Sequence, residues 1–269
     1  MEFPELPARG HGFEEIARLC AVATGFDPLQ PEEPGTSQLL RSVRLQLCGV
    51  AMSLFHLNKL KHTEKRPDVV TEHSMGIYAA LVACGSLGDG AVLELASRIG
   101  TCVARLGEKC DYAFGSIVGL TETPLASIAR NNSACIVNHN TSRHFLLCGR
   151  RESIDCAAKE AVSAGAFSAN AFPCDAPLHT PLIESIAEDL EHIIRDYEYF
   201  PPRIPLVDHL AQRQLTAADI PQFLMEDLCS PVYWEKTYQS LRKMGTTTFV
   251  EVGFGQALSK FNRWIDSES

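Results

Sequence analysis

Residues 69 to 85 read VVTEHSMGIYAALVACG, and the fold class turns on how that stretch folds. A run of β-formers ends at His73, Ser74 to Gly76 make a corner, and the chain continues as an almost wholly apolar helix. A sharp strand-to-helix turn lifts a serine Oγ clear of the backbone and sets it before the unpaired N–H groups of the new helix. That arrangement is a nucleophile elbow with Ser74 as the candidate nucleophile. The same residues also suit a plain serine N-cap, so the choice rests on the rest of the chain.

On the amino-terminal side, apolar residues recur at helical spacing between Thr36 and Leu60 (Leu39, Leu40, Val43, Leu47, Val50, Leu54), and Arg66 to Glu72 reads as a buried strand. Asp89 to Leu106 is a second long helix with Gly107 as its stop. Helix, strand, elbow and helix in that order are the pattern of an α/β protein. The character then changes. Tyr112–Gly119, Ala134–Asn138, His144–Cys148 and Phe167–Pro173 read as strands, with helices over Glu122–Arg130 and Glu152–Ala164. The resulting βαββαβ order is that of a ferredoxin-like unit. It divides the chain into a small subdomain over 111–174 and a body made of 1–110 and 175–269. The body resumes with helices over Pro181–Tyr197, Ala217–Cys229, Tyr233–Met244 and Gly255–Ile265, and strands over Ile204–Asp208 and Thr247–Val252.

Composition narrows the function classes. The chain has 269 residues, 45% hydrophobic and 21% charged, as expected of an ordinary globular protein with a large core. A net charge of −9 argues against nucleic acid as a main partner, since phosphate binding needs a basic face. KLKHTEK (Lys59 to Lys65) is read as a solvated loop. The ten cysteines form no C-x-x-C pair and sit mostly among apolar neighbours, so they are read as reduced core residues. No apolar run is long enough to span a bilayer. The opening MEFPELPARGHGFEE is acidic and Pro-interrupted where a signal peptide is basic and then apolar, so the expected location is cytoplasmic.

EHSMGIYAAL, LASRIG, IVNHNTSRHFLLCG, PLHTPLI, SPVYWEK and VEVGFGQAL follow one another in an order and spacing that resembles the malonyl-CoA:acyl carrier protein transacylases over nearly the whole chain. The resemblance implies an α/β-hydrolase-like body with an inserted ferredoxin-like (βαββαβ) subdomain. It also implies transfer of a malonyl group from malonyl-CoA to the phosphopantetheine thiol of an acyl carrier protein through an acyl-serine, in fatty-acid or polyketide synthesis or on the carrier of a malonate-degrading complex. No metal and no cofactor beyond these substrates is implied, and a monomer is favoured.

Residue by residue, the resemblance makes Ser74 the nucleophile and His179 the base. The other imidazole nitrogen would be held by a main-chain carbonyl in Ser230–Trp234, with no triad acid. Arg98 would pair with the malonyl carboxylate through two parallel hydrogen bonds, and the Met75 N–H would serve the oxyanion. His73 is read as a packing and hydrogen-bonding residue, and Asn138 and Asn140 as supports of loop geometry.

The chain also departs from the pattern. Phe3 and Pro4 fit an FPGQGSQ-like first loop, but Glu5, Leu6 and Pro7 replace its glycine-rich part, leaving the Leu6 N–H as the expected second oxyanion donor. Glu72 stands where the elbow normally has glycine, Tyr233 stands at the substrate side in place of glutamine, and the Gln-Pro opening of the long helix is replaced near Val43 and Arg44. Two alternatives accompany these changes: an acyl-thioester hydrolase on the same fold, and a catalytically impaired homologue that binds a carrier protein.

Overall fold

The computed structural model describes residues 12–30, 35–63, 66–108, 110–253 and 255–268, with the side chains of 38 and 39 left aside. Leu6 and the rest of the expected first loop lie outside the described residues.

The chain opens with α1 (Phe13–Thr24), which buries Phe13, Ile16, Ala17 and Cys20 on one face. α2 (Gln38–Lys61) starts at Ser37, whose hydroxyl accepts the Leu40 N–H at 3.2 Å and so satisfies one of the helix's orphan donors. β1 (Val70–Thr71) leads into α3 (Gly76–Cys84), which is apolar on all sides because it is buried on all sides. α4 (Asp89–Gly107) turns Val92, Leu95, Ala96, Ile99 and Val103 into the same core.

The small subdomain follows: β2 (Tyr112–Val118), α5 (Glu122–Asn131), β3 (Cys135–Thr141), β4 (His144–Arg150), α6 (Arg151–Ser163) and β5 (Ser168–Cys174). Its antiparallel strands stand in the order β5-β2-β4-β3. Ile117, Leu125, Phe145, Leu147 and Ile154 give it a core of its own. The βαββαβ order read from the sequence is therefore present. Gly107, at the end of α4, sits against the end of β5 so closely that a Cβ there would stand 2.1 Å from the Asp175 carbonyl oxygen.

After a 3₁₀ turn over Pro181–Ile186 come α7 (Ala187–Arg195), β6 (Leu206–Val207), α8 (Ile220–Cys229), β7 (Val232–Tyr233), α9 (Trp234–Lys243) and α10 (Ala257–Glu268). β6 pairs in parallel with β1, Val70 opposite Leu206 and Thr71 opposite Val207. β7 adds to β3 as a fifth strand of the small sheet, Asn138 opposite Val232 and His139 opposite Tyr233. The body strands are shorter than their sequences suggest, and Thr247–Val252 forms no strand at all. Its β-branched residues have the propensity, but among the described residues no neighbouring strand offers a ladder there, and Phe249 instead packs on Trp234 and Tyr238.

All ten cysteines are unpaired. Among the described residues no helix is long and apolar enough to cross a membrane.

Candidate active site

The turn between β1 and α3 forces Ser74 into the left-handed region, φ 56°, a conformation that costs a non-glycine residue energy and persists only where the surroundings impose it. Gly76 N–H donates to His73 O and Ile77 N–H to Ser74 O, both at 3.0 Å, so the corner closes as the helix begins. The Met75 N–H lies at the open amino end of that helix. His179 also has a left-handed backbone, φ 61°, and its N–H donates to Leu228 O at 2.8 Å.

These two corners bring His179 Nε2 to 2.7 Å from Ser74 Oγ. The other ring nitrogen, Nδ1, lies 2.8 Å from Asp227 O and 3.1 Å from Ser230 O. Two carbonyl oxygens can only accept, so Nδ1 carries the proton, Nε2 is bare, and the Ser74 hydroxyl donates to it. Ser230 lies at the start of the Ser230–Trp234 segment in which the resemblance placed that carbonyl. Asp227 was missed, although a helix's last turn always leaves carbonyls free for such a ring. The Asp227 carboxylate lies 3.9 Å from His179 Nδ1, beyond hydrogen-bond reach, and instead accepts His209 Nε2–H at 2.7 Å.

His73 donates from Nε2 to Asn140 Oδ1 at 3.1 Å and meets the Trp234 ring edge-on, tying the elbow to the small subdomain. Burial lowers this imidazole to about 4, so it is neutral and does not compete with His179 as a base. Asn138 lies beside it, its amide nitrogen 3.5 Å from the same ring nitrogen.

A narrow recess adjoins Ser74 and His179 and is lined in part by Met75, Ile99, Val103, Leu224 and Leu228. Arg98 is not part of it. Its Nη2 lies 2.5 Å from Asp196 Oδ2 and its Nη1 3.5 Å from the Tyr197 hydroxyl, with the side chain 36% exposed. The expectation that Arg98 faces Ser74 is thereby corrected. α4 buries Ile99 and Val103 toward the nucleophile, and one residue of helical turn carries Arg98 outward. Tyr233 is likewise outside the recess. Its ring stacks 4.8 Å from His139 with Lys236 Nζ 4.4 Å above it, while its N–H donates to His209 Nδ1 at 3.3 Å.

Behind the elbow, Glu72, His209 and Asp227 are buried together, their ligand-capable atoms within 4.8 Å of one another. Burial pushes the Glu72 carboxyl up to about 8, and neither of its oxygens has a hydrogen-bond partner among the described residues. The trio has the residue types of a metal site, but with Nδ1 accepting from Tyr233 and Nε2 donating to Asp227, His209 has no bare nitrogen to give a cation. The cluster suits a shared proton better.

Residues 26–261 match the acyl transferase domain family. The chain belongs to that family. It is an acyltransferase by that membership. Among curated relatives, the malonyl CoA-acyl carrier protein transacylase of Bacillus subtilis is 26% identical over 233 residues, covering 84% of this chain and 74% of the relative. Its counterpart in Escherichia coli K12 is also 26% identical, covering 94% and 84%. Among solved structures, the malonyl CoA-acyl carrier protein transacylase of Coxiella burnetii superposes with a TM-score of 0.86 at 24% identity, covering 96% of this chain and 84% of its own.

Proposed function

We propose that this acyltransferase moves an acyl group from a coenzyme A thioester to the phosphopantetheine thiol of an acyl carrier protein through an ester on Ser74. The observation that carries the reading is the 2.7 Å contact from Ser74 Oγ to a His179 Nε2 left bare by the two carbonyls at Nδ1. In the first half-reaction His179 takes the Ser74 proton as Oγ attacks the thioester carbon. The Met75 N–H stabilises the oxyanion, the C–S bond breaks, and His179 returns the proton to the departing coenzyme A sulfur. In the second, His179 takes the carrier thiol's proton, the sulfur attacks the ester carbon, and Ser74 leaves with the proton restored. A covalent ester lets one small site serve two bulky carriers in turn.

The relatives named as malonyl CoA-acyl carrier protein transacylases make malonyl-CoA the reference donor and a carrier protein the reference acceptor. The same reading takes the fold as an α/β-hydrolase-like body, 1–110 and 175–269, with a ferredoxin-like subdomain over 111–174, working in the cytoplasm. Its test is intact-mass spectrometry after mixing with coenzyme A thioesters, followed by addition of holo carrier protein. An acyl mass on Ser74 that moves to the carrier is the expected result. Release of free acid instead makes the protein a thioester hydrolase, and no adduct in the wild type refutes the acyl-serine route.

A further inference from the structure

We propose that the acyl group taken onto Ser74 is uncharged, an alkanoyl group such as acetyl or butyryl, and that groups ending in a carboxylate are disfavoured; this rests on the acyl-serine reading of the site. The wall of the recess on the α4 side is Ile99 and Val103, 3% and 1% exposed, and on the α8 side Leu224 and Leu228. Among the described residues no lysine or arginine lines it. The ionisable residues among its lining are His179, committed to the proton transfer, Asp227, whose carboxylate is taken by His209, and Tyr78, whose phenol burial keeps neutral.

An alkyl end placed there gains by leaving water. A carboxylate placed there is stripped of water against apolar walls and finds no cation among the described residues, and both raise its cost. Arg98 offers no remedy. It is held on the outer face by Asp196 and Tyr197, and bringing it round would rotate α4 by about 100° and withdraw Ile99 from the core. Gln46 is a polar lining residue, but its side-chain oxygen packs over Gly100 and an amide carries no charge.

The test separates binding from acylation. Ser74→Ala protein is titrated calorimetrically with butyryl-CoA, acetyl-CoA, malonyl-CoA and succinyl-CoA, and wild-type protein is mixed with the same thioesters and its acyl masses followed in time. Malonyl-CoA and succinyl-CoA are expected to bind on the order of tenfold more weakly than butyryl-CoA, and wild type to load alkanoyl groups faster in the same order. Arg98→Ala should leave the order unchanged. Malonyl-CoA binding as tightly as butyryl-CoA, no binding of any thioester, or a selective loss of malonyl binding in Arg98→Ala overturns the inference. Absence of any adduct on wild type, with the binding order intact, refutes the acyl-serine route while leaving the selectivity standing.

Discussion

Asp227 accepts the His179 Nδ1–H on its main-chain oxygen at 2.8 Å while its carboxylate stays 3.9 Å from that nitrogen and pairs with His209. The imidazole is thus oriented by backbone, and the carboxylate's charge acts on it only at a distance. Asp227→Asn keeps the carbonyl and an acceptor for His209. It should slow acylation by about tenfold or less, whereas His179→Ala should cost on the order of 10² to 10⁴. Rapid-quench mass spectrometry of the acyl adduct measures both. Equal losses would make the Asp227 carboxylate a triad acid.

Ser74→Ala should abolish the adduct, because no other hydroxyl shares the 2.7 Å contact with His179 among the described residues. Cys84 is fully buried and Cys102, on α4, is raised by burial above the usual thiol range, so neither offers a ready thiolate. Cys84→Ala and Cys102→Ala should therefore acylate as wild type does. Peptide mapping of the adduct decides, and an acyl mass on either cysteine would contradict the elbow.

Ser74 stands on a strand-to-helix corner that the residues themselves display, whereas a histidine after Ala-Pro-Leu is locally an ordinary loop residue and His179 is singled out only by the family resemblance. The direction of Arg98 was not legible, because LASRIG places a cation and an isoleucine side by side. Which of the two faces Ser74 depends on the phase of a 19-residue helix, and a one-residue difference in phase reverses the electrostatics of the recess. The Asp227 carbonyl carries no signature, since every residue has one. The Glu72–His209–Asp227 cluster is assembled from elements more than a hundred residues apart in part, so only the oddity of Glu72 at the elbow pointed toward it. The subdomain was legible because antiparallel strands with one covered face alternate, while β1 and β6 pair for only two residues each.

Gly107 joins the body to the subdomain by close approach. With a Cβ only 2.1 Å from the Asp175 oxygen, Gly107→Ala must push backbone from backbone and should cost about 1–3 kcal/mol or more. The urea midpoint of the variant reads this directly, and a midpoint equal to that of wild type would mean that the end of β5 does not seat on α4.

Glu72 should make the fold sensitive to pH in an unusual direction. Its folded carboxyl is raised to about 8, chiefly by burial, against an ordinary value near 4.5. Between those values the folded chain holds a proton that the unfolded chain has released, so stability falls as pH rises across this interval. The contribution is fully present below the unfolded value and is lost as pH passes the folded one. His209 does not reverse the sign: burial lowers it, but Glu72 and Asp227 outweigh burial and leave it above its ordinary value, and a proton taken up at Nδ1 replaces the contact from the Tyr233 N–H. Below pH 6.5 the imidazoles lowered by burial, His73, His139 and His144, act in the opposite sense, so the window that isolates Glu72 lies above it: wild type should lose thermal stability between pH 6.5 and pH 8, by on the order of a few °C. Glu72→Gln, which keeps the shape and removes the titration, should flatten much of that slope. Differential scanning calorimetry of both proteins across this range provides the comparison. A wild-type melting temperature that rises toward pH 8, or an unchanged slope in Glu72→Gln, would show that the buried carboxyl is already ionised and held by His209 as an ion pair.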